Sequence, residues 1–313
     1  MERNCVLIVG SGMMGSGIAA CSAAAGNRTI LADVNMDRAQ KGVETAKEKL
    51  QYLWENQLLE EDKLQQAQAK LFASEDYITS ASQARLVIEA VNENLTLKQN
   101  TFAALDDVLP VSVPIASNTS GLRITEIAAR MRHPERAVTT HFWFPAHLVP
   151  LVEVVIGDKT DPAVAERLKT ELLSWNKAPI IVKKDLPGQL ANRILQAVIR
   201  EAVNIVELGL ASPEDVDTAV KMGMGIRFPV WGPLEHVDTV GVDLCESVQN
   251  TVLPEISGRN CAADKFRELT EKNNLGVKTG KGFYDWSVKD NQALQTLRDR
   301  YIVNSLQFLR KQS

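Results

Sequence analysis

Cysteine is scarce in this chain. Cys5, Cys21, Cys245 and Cys261 are the four among 313 residues, with no CxxC pair and no histidine at metal-ligand spacing. That excludes a disulfide scaffold and a cysteine-built metal centre. The expectation is four buried free thiols in a reducing compartment and no metal site. Charge of one sign is not in excess either: 35 Lys and Arg stand against 39 Asp and Glu, a formal net charge of −4. Nucleic-acid-binding domains carry a basic footprint, and none is visible here. No apolar run reaches the ~18 residues of a membrane span. The N-terminus also lacks the basic region, apolar core and small-residue cleavage site of a signal peptide. These absences lead us to expect a cytoplasmic protein with neither membrane nor nucleic acid as a partner. The hydrophobic share, 45%, is ordinary for a globular chain. At about 150 residues per domain the length allows roughly two domains.

Residues 5–9, CVLIV, form a β-branched run of the kind buried in parallel sheets. The small, proline-free segment after it suits a helix pressed against a sheet. TILA (29–32), ARLVIEAV (84–91), PIASN (114–118), AVTTHFWF (137–144) and LVPLVEVVIG (148–157) read as further strands. Helix-forming stretches separate most of them, with a helical pair or hairpin between the second and third and a helix at RITEIAARM (123–131). The alternation predicts an α/β fold with a Rossmann-like, doubly wound parallel sheet. Near residue 185 the pattern changes. Pro187-Gly188 opens a long helix, and mainly helical segments broken by glycine and proline follow. We therefore expect residues 1–186 to form a nucleotide-binding domain and 187–313 a smaller all-α domain. The apolar spacing in 291–311 predicts a packing helix.

Gly10-Ser11-Gly12-Met13-Met14-Gly15 is a GxGxxG that directly follows a strand and opens a helix, the context the motif requires. The first glycine permits a tight turn, the second a close approach to a pyrophosphate, the third close helix–strand packing. The helix N-terminus adds N–H groups and partial positive charge. Asp33, 18 residues after Gly15, ends the second strand and could accept hydrogen bonds from both ribose hydroxyls. It would also repel a 2′-phosphate, which favours NAD over NADP, although Arg38 lies near enough to leave NADP open.

His141 sits at the end of an apolar strand, and Glu153 lies twelve residues later in a run where a lone carboxylate would be costly to bury. Paired, the carboxylate would fix the imidazole tautomer and raise its basicity, as a general base for a secondary alcohol requires. A core histidine with a solvent-facing glutamate is the plainer alternative. Ser117-Asn118-Thr119-Ser120 reads as a strand-to-helix cap cluster, and Asn192 as a residue of the first helix after the domain change.

Taken in order, GSGMMGSG (10–17), VIEAVNENLTLK (87–98), ASNTSGL (116–122), HFWFPAHLVPLVEVV (141–155), DLPGQLANR (185–193) and TGKGFYDW (279–286) resemble the 3-hydroxyacyl-CoA dehydrogenase family. The resemblance covers nearly the whole chain. It implies NAD as cofactor, His141 as acid/base oriented by Glu153, and Ser120 and Asn192 on the substrate oxygen. It further implies that Glu93, Lys98 and Asn118 join Gly10, Gly12, Met13, Met14, Gly15 and Asp33 around the cofactor, and that the second domain forms a homodimer. Two departures stand out. Phe144 replaces the asparagine of the family's HFxNP, and Arg227 stands in GMGIRFPVWGPLE (223–235) where acyl-CoA members lack it. The latter segment is more similar to the L-gulonate 3-dehydrogenase, λ-crystallin and carnitine dehydrogenase branch, in which such an arginine can hold a free carboxylate. A guanidinium can do so with two parallel hydrogen bonds. The expected activity is oxidation of the 3-hydroxyl of an L-3-hydroxy acid or an L-3-hydroxyacyl-CoA. For the thioester, Lys41, Lys47, Lys49, Lys63 and Lys70 could meet the nucleotide tail. The alternative is a catalytically silent, NAD-binding structural protein of the λ-crystallin kind.

Overall fold

The computed structural model describes residues 3–311. The chain divides into two compact units, one running up to Leu190 and resuming at Ile302, the other Ala191–Tyr301.

In the first unit the strands are β1 (Cys5–Val9), β2 (Arg28–Ala32), β3 (Leu71–Ser74), β4 (Ala84–Glu89), β5 (Ile115–Ser117), β6 (Ala137–Phe142), β7 (Leu151–Val155) and β8 (Ala178–Val182). They form one sheet of order β3-β2-β1-β4-β5-β6-β7-β8. The helices are α1 (Met13–Ala24), α2 (Met36–Glu55), α3 (Glu61–Ala69), α4 (Tyr77–Ala81), α5 (Leu95–Val108), α6 (Ile124–Ile127) and α7 (Pro162–Ser174). Successive side chains of a strand point to opposite faces, and β1 shows the result. Val6 and Ile8 join the core that includes Ile18, Leu50 and Leu168, while Cys5, Leu7 and Val9 join the one that includes Phe102, Leu105 and Ile127. A strand covered on both sides must be apolar throughout, which is why CVLIV does not alternate.

Three sequence expectations change here. The sheet is parallel from β3 to β6, but β7 pairs antiparallel with β6, and β8 lies parallel to β7. The link from β6 to β7 is eight residues long, too short for a parallel crossover, so the chain turns back. The helix expected over 123–131 is a single turn, α6, followed by a 3-10 turn at Ala128–Arg130. Of the thiols, Cys5 and Cys21 are buried, Cys245 is half-buried and Cys261 is exposed, all four free.

The second unit holds α8 (Leu190–Glu207) but for its first residue, and then α9 (Pro213–Ala219), α10 (Pro233–Val240), α11 (Val242–Val252) and α12 (Asp264–Glu271). Its all-α character agrees with expectation, apart from two isolated bridges at Gly276, Lys281 and Asp285. Its extent does not. The closing helix α13 (Asn291–Arg310) returns to the first unit from Ile302 onward, where Val303 packs with Leu53, Leu58 and Leu148. Apolar side chains at helical spacing foretold packing for this helix, and nothing local in them names the surface they pack on.

Candidate active site

The carboxyl ends of β1, β2, β4, β5 and β6 carry most of the residues singled out in the sequence. At the end of β1, Gly10 takes φ +103°, and an added Cβ would lie 2.6 Å from Ala90 O. At Gly15 a Cβ would stand 1.8 Å from Gly10 O. Both positions require glycine for the turn itself. At Gly12, the N-cap of α1, a Cβ would meet nothing within 4 Å, and no side chain caps the helix. A bare N-terminus with open space at its middle glycine is the cradle a pyrophosphate needs. Met13 lies beside it, 65% exposed, and Met14 is half-buried.

Asp33 follows β2 and faces this turn. Its Oδ2 accepts from the Ser11 N–H (2.9 Å) and the Ser11 hydroxyl (2.6 Å), and its Oδ1 from the Val34 N–H (2.8 Å). Partial burial pushes its carboxyl upward, but these three donors and the Arg38 guanidinium, 3.6 Å away, hold it below the ordinary aspartate value. The residues present fit NAD. The turn is bare where phosphate would approach, and an ionised carboxylate stands where the second strand ends.

At β4 the structure contains a group that the sequence did not announce. Glu89 is fully buried and accepts from Lys98 Nζ (2.6 Å), the Ser117 hydroxyl (2.6 Å) and the Val91 N–H (2.7 Å). Burial pushes the Glu89 carboxyl above the ordinary glutamate value, and Lys98, Ser117 and Val91 work against that push. The same Lys98 ammonium, 1% exposed, lies 3.3 Å from Glu93 Oε2. Glu93 Oε1 in turn accepts from the Thr119 hydroxyl (2.5 Å), the Ser120 N–H (3.1 Å) and the Gly121 N–H (3.2 Å). One chain of charge-assisted bonds thus runs from Glu89 through Lys98 and Glu93 to the loop that bears Ser120, whose residue is exposed. Partial burial raises Glu93, but Thr119, Lys98 and Gly121 together bring it below its usual value. Asn118 turns sideways and accepts from the Phe142 N–H (2.9 Å), tying this loop to the end of β6.

His141 and Glu153 face each other in register on β6 and β7. His141 Nδ1 lies 2.7 Å from Glu153 Oε2, and the glutamate is fully buried. The antiparallel turn makes this pair, since strand partners twelve residues apart need only a short return. Trp143 Nε1 donates to the same Oε2 (3.0 Å). Trp143, like Glu89 and Ser11, was given no role in the sequence, and Ser117 only that of a helix cap. For Trp143 the signal was the two-residue period, which puts 141 and 143 on one face of a strand end.

Asn192 and Arg227 belong to the second unit. Asn192 is half-buried in the first turn of α8. Arg227 is exposed in the turn after a π-helical segment, Val220–Gly225. Its Nε donates to Gly223 O (2.9 Å), and its guanidinium lies 5.8 Å from the centroid of the Trp231 ring. Of the lysines on or after the helical hairpin, Lys49 donates to the Ser16 hydroxyl (2.8 Å), Lys63 pairs with Glu60 (2.7 Å), and Lys70 donates to Gly26 O.

The model of the 3-hydroxyacyl-CoA dehydrogenase NAD binding domain matches residues 5–186, and that of the family's C-terminal domain matches 188–286. The chain belongs to the 3-hydroxyacyl-CoA dehydrogenase family. It is 35% identical over 307 residues, 97% of each chain, to the 5-formyl-3-hydroxy-2-methylpyridine 4-carboxylate 5-dehydrogenase of Mesorhizobium japonicum. It is also 35% identical over 292 residues to a probable 3-hydroxybutyryl-CoA dehydrogenase of Bacillus subtilis, covering 92% of this chain and 99% of that one. A crystal structure of a 5-formyl-3-hydroxy-2-methylpyridine 4-carboxylic acid 5-dehydrogenase, described as an NAD+ dependent dismutase, superimposes with a TM-score of 0.90 at 33% identity over 99% of both chains. The protein is an NAD-dependent dehydrogenase of the 3-hydroxyacyl-CoA and 3-hydroxy acid class, acting on a small-molecule substrate.

Proposed function

We propose that His141, held by Glu153, is the proton acceptor of a secondary-alcohol oxidation, and that the substrate is a free carboxylic acid and not a CoA thioester. The observation that carries the first part is the 2.7 Å contact between Nδ1 and a fully buried carboxylate. It occupies one ring nitrogen and leaves Nε2 for the substrate hydroxyl. NAD, when bound, supplies the hydride acceptor. The chain's own residues do the rest. His141 Nε2 takes the hydroxyl proton as the carbonyl forms, and Glu153 stabilises the resulting imidazolium. Ser120, on the loop held by Glu93, and Asn192 polarise the oxygen. Glu93, with Lys98 bonded behind it, would border the nicotinamide ribose.

Three features support a free acid. Phe144 is 45% exposed where the family's motif has asparagine, so the surface beside His141 is more apolar. Lys49, Lys63 and Lys70 are already engaged within their own unit. A relative matched over 97% of this chain is named for a pyridine carboxylate. Arg227 would grip that carboxylate, since among the described residues its two terminal nitrogens have no hydrogen-bond partner. We further propose a cytoplasmic homodimer joined through the second unit.

The test is NAD reduction at alkaline pH with L-3-hydroxybutyryl-CoA, L-gulonate and L-carnitine. Turnover confined to free acids is expected. For the acid that turns over, His141→Ala should lower kcat by about 10²- to 10⁴-fold, and Arg227→Met should raise KM with little change in kcat. Turnover with the thioester alone would overturn the free-acid reading. Undiminished turnover in His141→Ala would overturn the proton-transfer reading, and no turnover at all would favour the silent, λ-crystallin-like alternative.

A further inference from the structure

We propose that Trp143 is a positioning residue of the His141–Glu153 pair: its indole N–H holds the carboxylate and sets how strongly that carboxylate binds the protonated imidazole. The inference rests on the reading of His141 as the acid/base group.

Glu153 is fully buried, and a single oxygen of it, Oε2, meets both His141 Nδ1 (2.7 Å) and Trp143 Nε1 (3.0 Å). The polarity of the second bond is not in doubt, because indole nitrogen donates and never accepts. That bond therefore exists whichever tautomer the imidazole adopts. It does two things. It supplies the buried carboxylate with a donor that no proton transfer can remove, which favours its ionised form. It also withdraws charge from the oxygen that faces the imidazole, so the imidazolium is held less tightly than by a carboxylate free of that donor. A base that must release its proton in each cycle needs both properties.

The placement follows from β geometry. His141 and Trp143 lie two residues apart on one face at the end of β6, with ring centroids 5.7 Å apart. Phe142 between them points the other way into the core, where Lys177 Nζ lies 6.0 Å from its ring centroid. The side chains in register with Glu153 are His141 on β6 and Ile180 on β8. His141 is thus an ionisable group that faces the carboxylate across the sheet. Beyond it, Glu89 ends β4, Glu93 lies in the link that follows and Lys98 on α5, bonded among themselves and to the 117–121 loop.

The experiment needs no substrate. The chain has four histidines, so their imidazole carbon-bound protons can be followed by NMR against pH, with His141→Gln identifying the His141 signal. Trp143→Phe keeps an aromatic ring and removes the donor. It should raise the pKa of His141 by about 0.5 to 1 unit, with His133, His147 and His236 unmoved and NADH affinity, read by calorimetry, unchanged. An unmoved or lowered His141 pKa in a variant whose other histidines titrate normally would overturn the role of Trp143. Glu153→Gln separates the two readings. It should lower the His141 pKa, and if it does not, the pairing itself fails and the proposal falls with it. If Glu153→Gln lowers it and Trp143→Phe does nothing, only the indole's role is lost, and Trp143 merely walls the site.

Discussion

At Asp33 one carboxylate oxygen is already committed to the turn it borders. Oδ2 takes both the N–H and the hydroxyl of Ser11, so any ribose hydroxyl must use the remaining lone pairs or share with Val34 at Oδ1. Asp33→Ala should therefore weaken NADH binding by about 10- to 100-fold, the worth of one or two hydrogen bonds to a charged group. It should also narrow the preference of NADH over NADPH, because the repulsion of a 2′-phosphate goes with the charge. Titration of each nucleotide by its own fluorescence measures both effects. Equal losses for NADH, NADPH and thermal stability would assign Asp33 to the turn alone. The residue scale is also where sequence reading was most uneven. Gly10, Gly12, Gly15 and Asp33 were legible because a phosphate-binding turn constrains backbone shape, and shape constrains glycine spacing. Glu93 and Lys98 entered only through family resemblance. Glu89 was invisible, since a carboxylate ending a strand looks alike whether it meets water or an ammonium nine residues on.

The elements themselves were legible where local pattern decides them and obscure where a distant surface does. β1, β2, β4, β5 and β6 appeared at nearly their observed limits because doubly covered strands must be short apolar runs. β3 and β8 were missed. LFAS (71–74) mixes exposed Phe72 with buried Leu71, and β8 begins on an exposed alanine beside a proline. The reversal at β7 was missed as well, since direction is a property of the link and not of the strand. An ion pair holds the far end of this sheet. Arg136, 1% exposed, donates from Nε (2.9 Å) and from Nη2 (2.5 Å) to Asp106 Oδ1, joining α5 to the start of β6. Breaking such a pair leaves a guanidinium buried without its counter-charge, at a cost of about 3 to 5 kcal/mol. Asp106→Asn should lose about that much in denaturant unfolding of the first unit, with the active-site histidine titrating as before. The pH dependence follows from the carboxyl. Burial raises it, but Arg136 and the N–H groups of His133 and Arg132 more than offset this and hold it below the ordinary aspartate value. A depressed folded-state pKa gives stability that is complete above the unfolded value, about 3.9, and is lost as pH falls through the folded one. Wild type should thus lose stability steeply below about pH 4, and Asp106→Asn less so. Equal acid slopes in the two proteins would show that other carboxylates govern acid unfolding.

For the whole molecule the question is what the second unit's apolar surface is for. α8 is eighteen residues long, yet Val203 alone of its side chains is buried among the described residues. On α11, Leu244, Val248 and Val252 recur at every fourth position and stand 53%, 52% and 46% exposed, with no buried residue on that helix. A stripe at that spacing is one face of a helix. Monomeric proteins seldom leave contiguous apolar faces open to water, and the homodimer proposed above would cover that stripe on each copy. Composition is silent on this point, because apolar spacing marks a face for cover and does not say whether the cover lies in the same chain. The expected outcome is sedimentation as a dimer at micromolar concentration and a thermal midpoint that rises with protein concentration, since association stabilises by mass action. Leu244→Glu combined with Val248→Glu places two carboxylates on that stripe and leaves the sequence of the nucleotide-binding unit unchanged. It should yield a monomer whose midpoint no longer depends on concentration, while NADH affinity stays within about twofold, a few tenths of a kcal/mol. A variant that remains dimeric would move the interface off α11 to another face of the second unit, and a monomeric wild type would remove the homodimer altogether and leave the stripe on α11 unexplained.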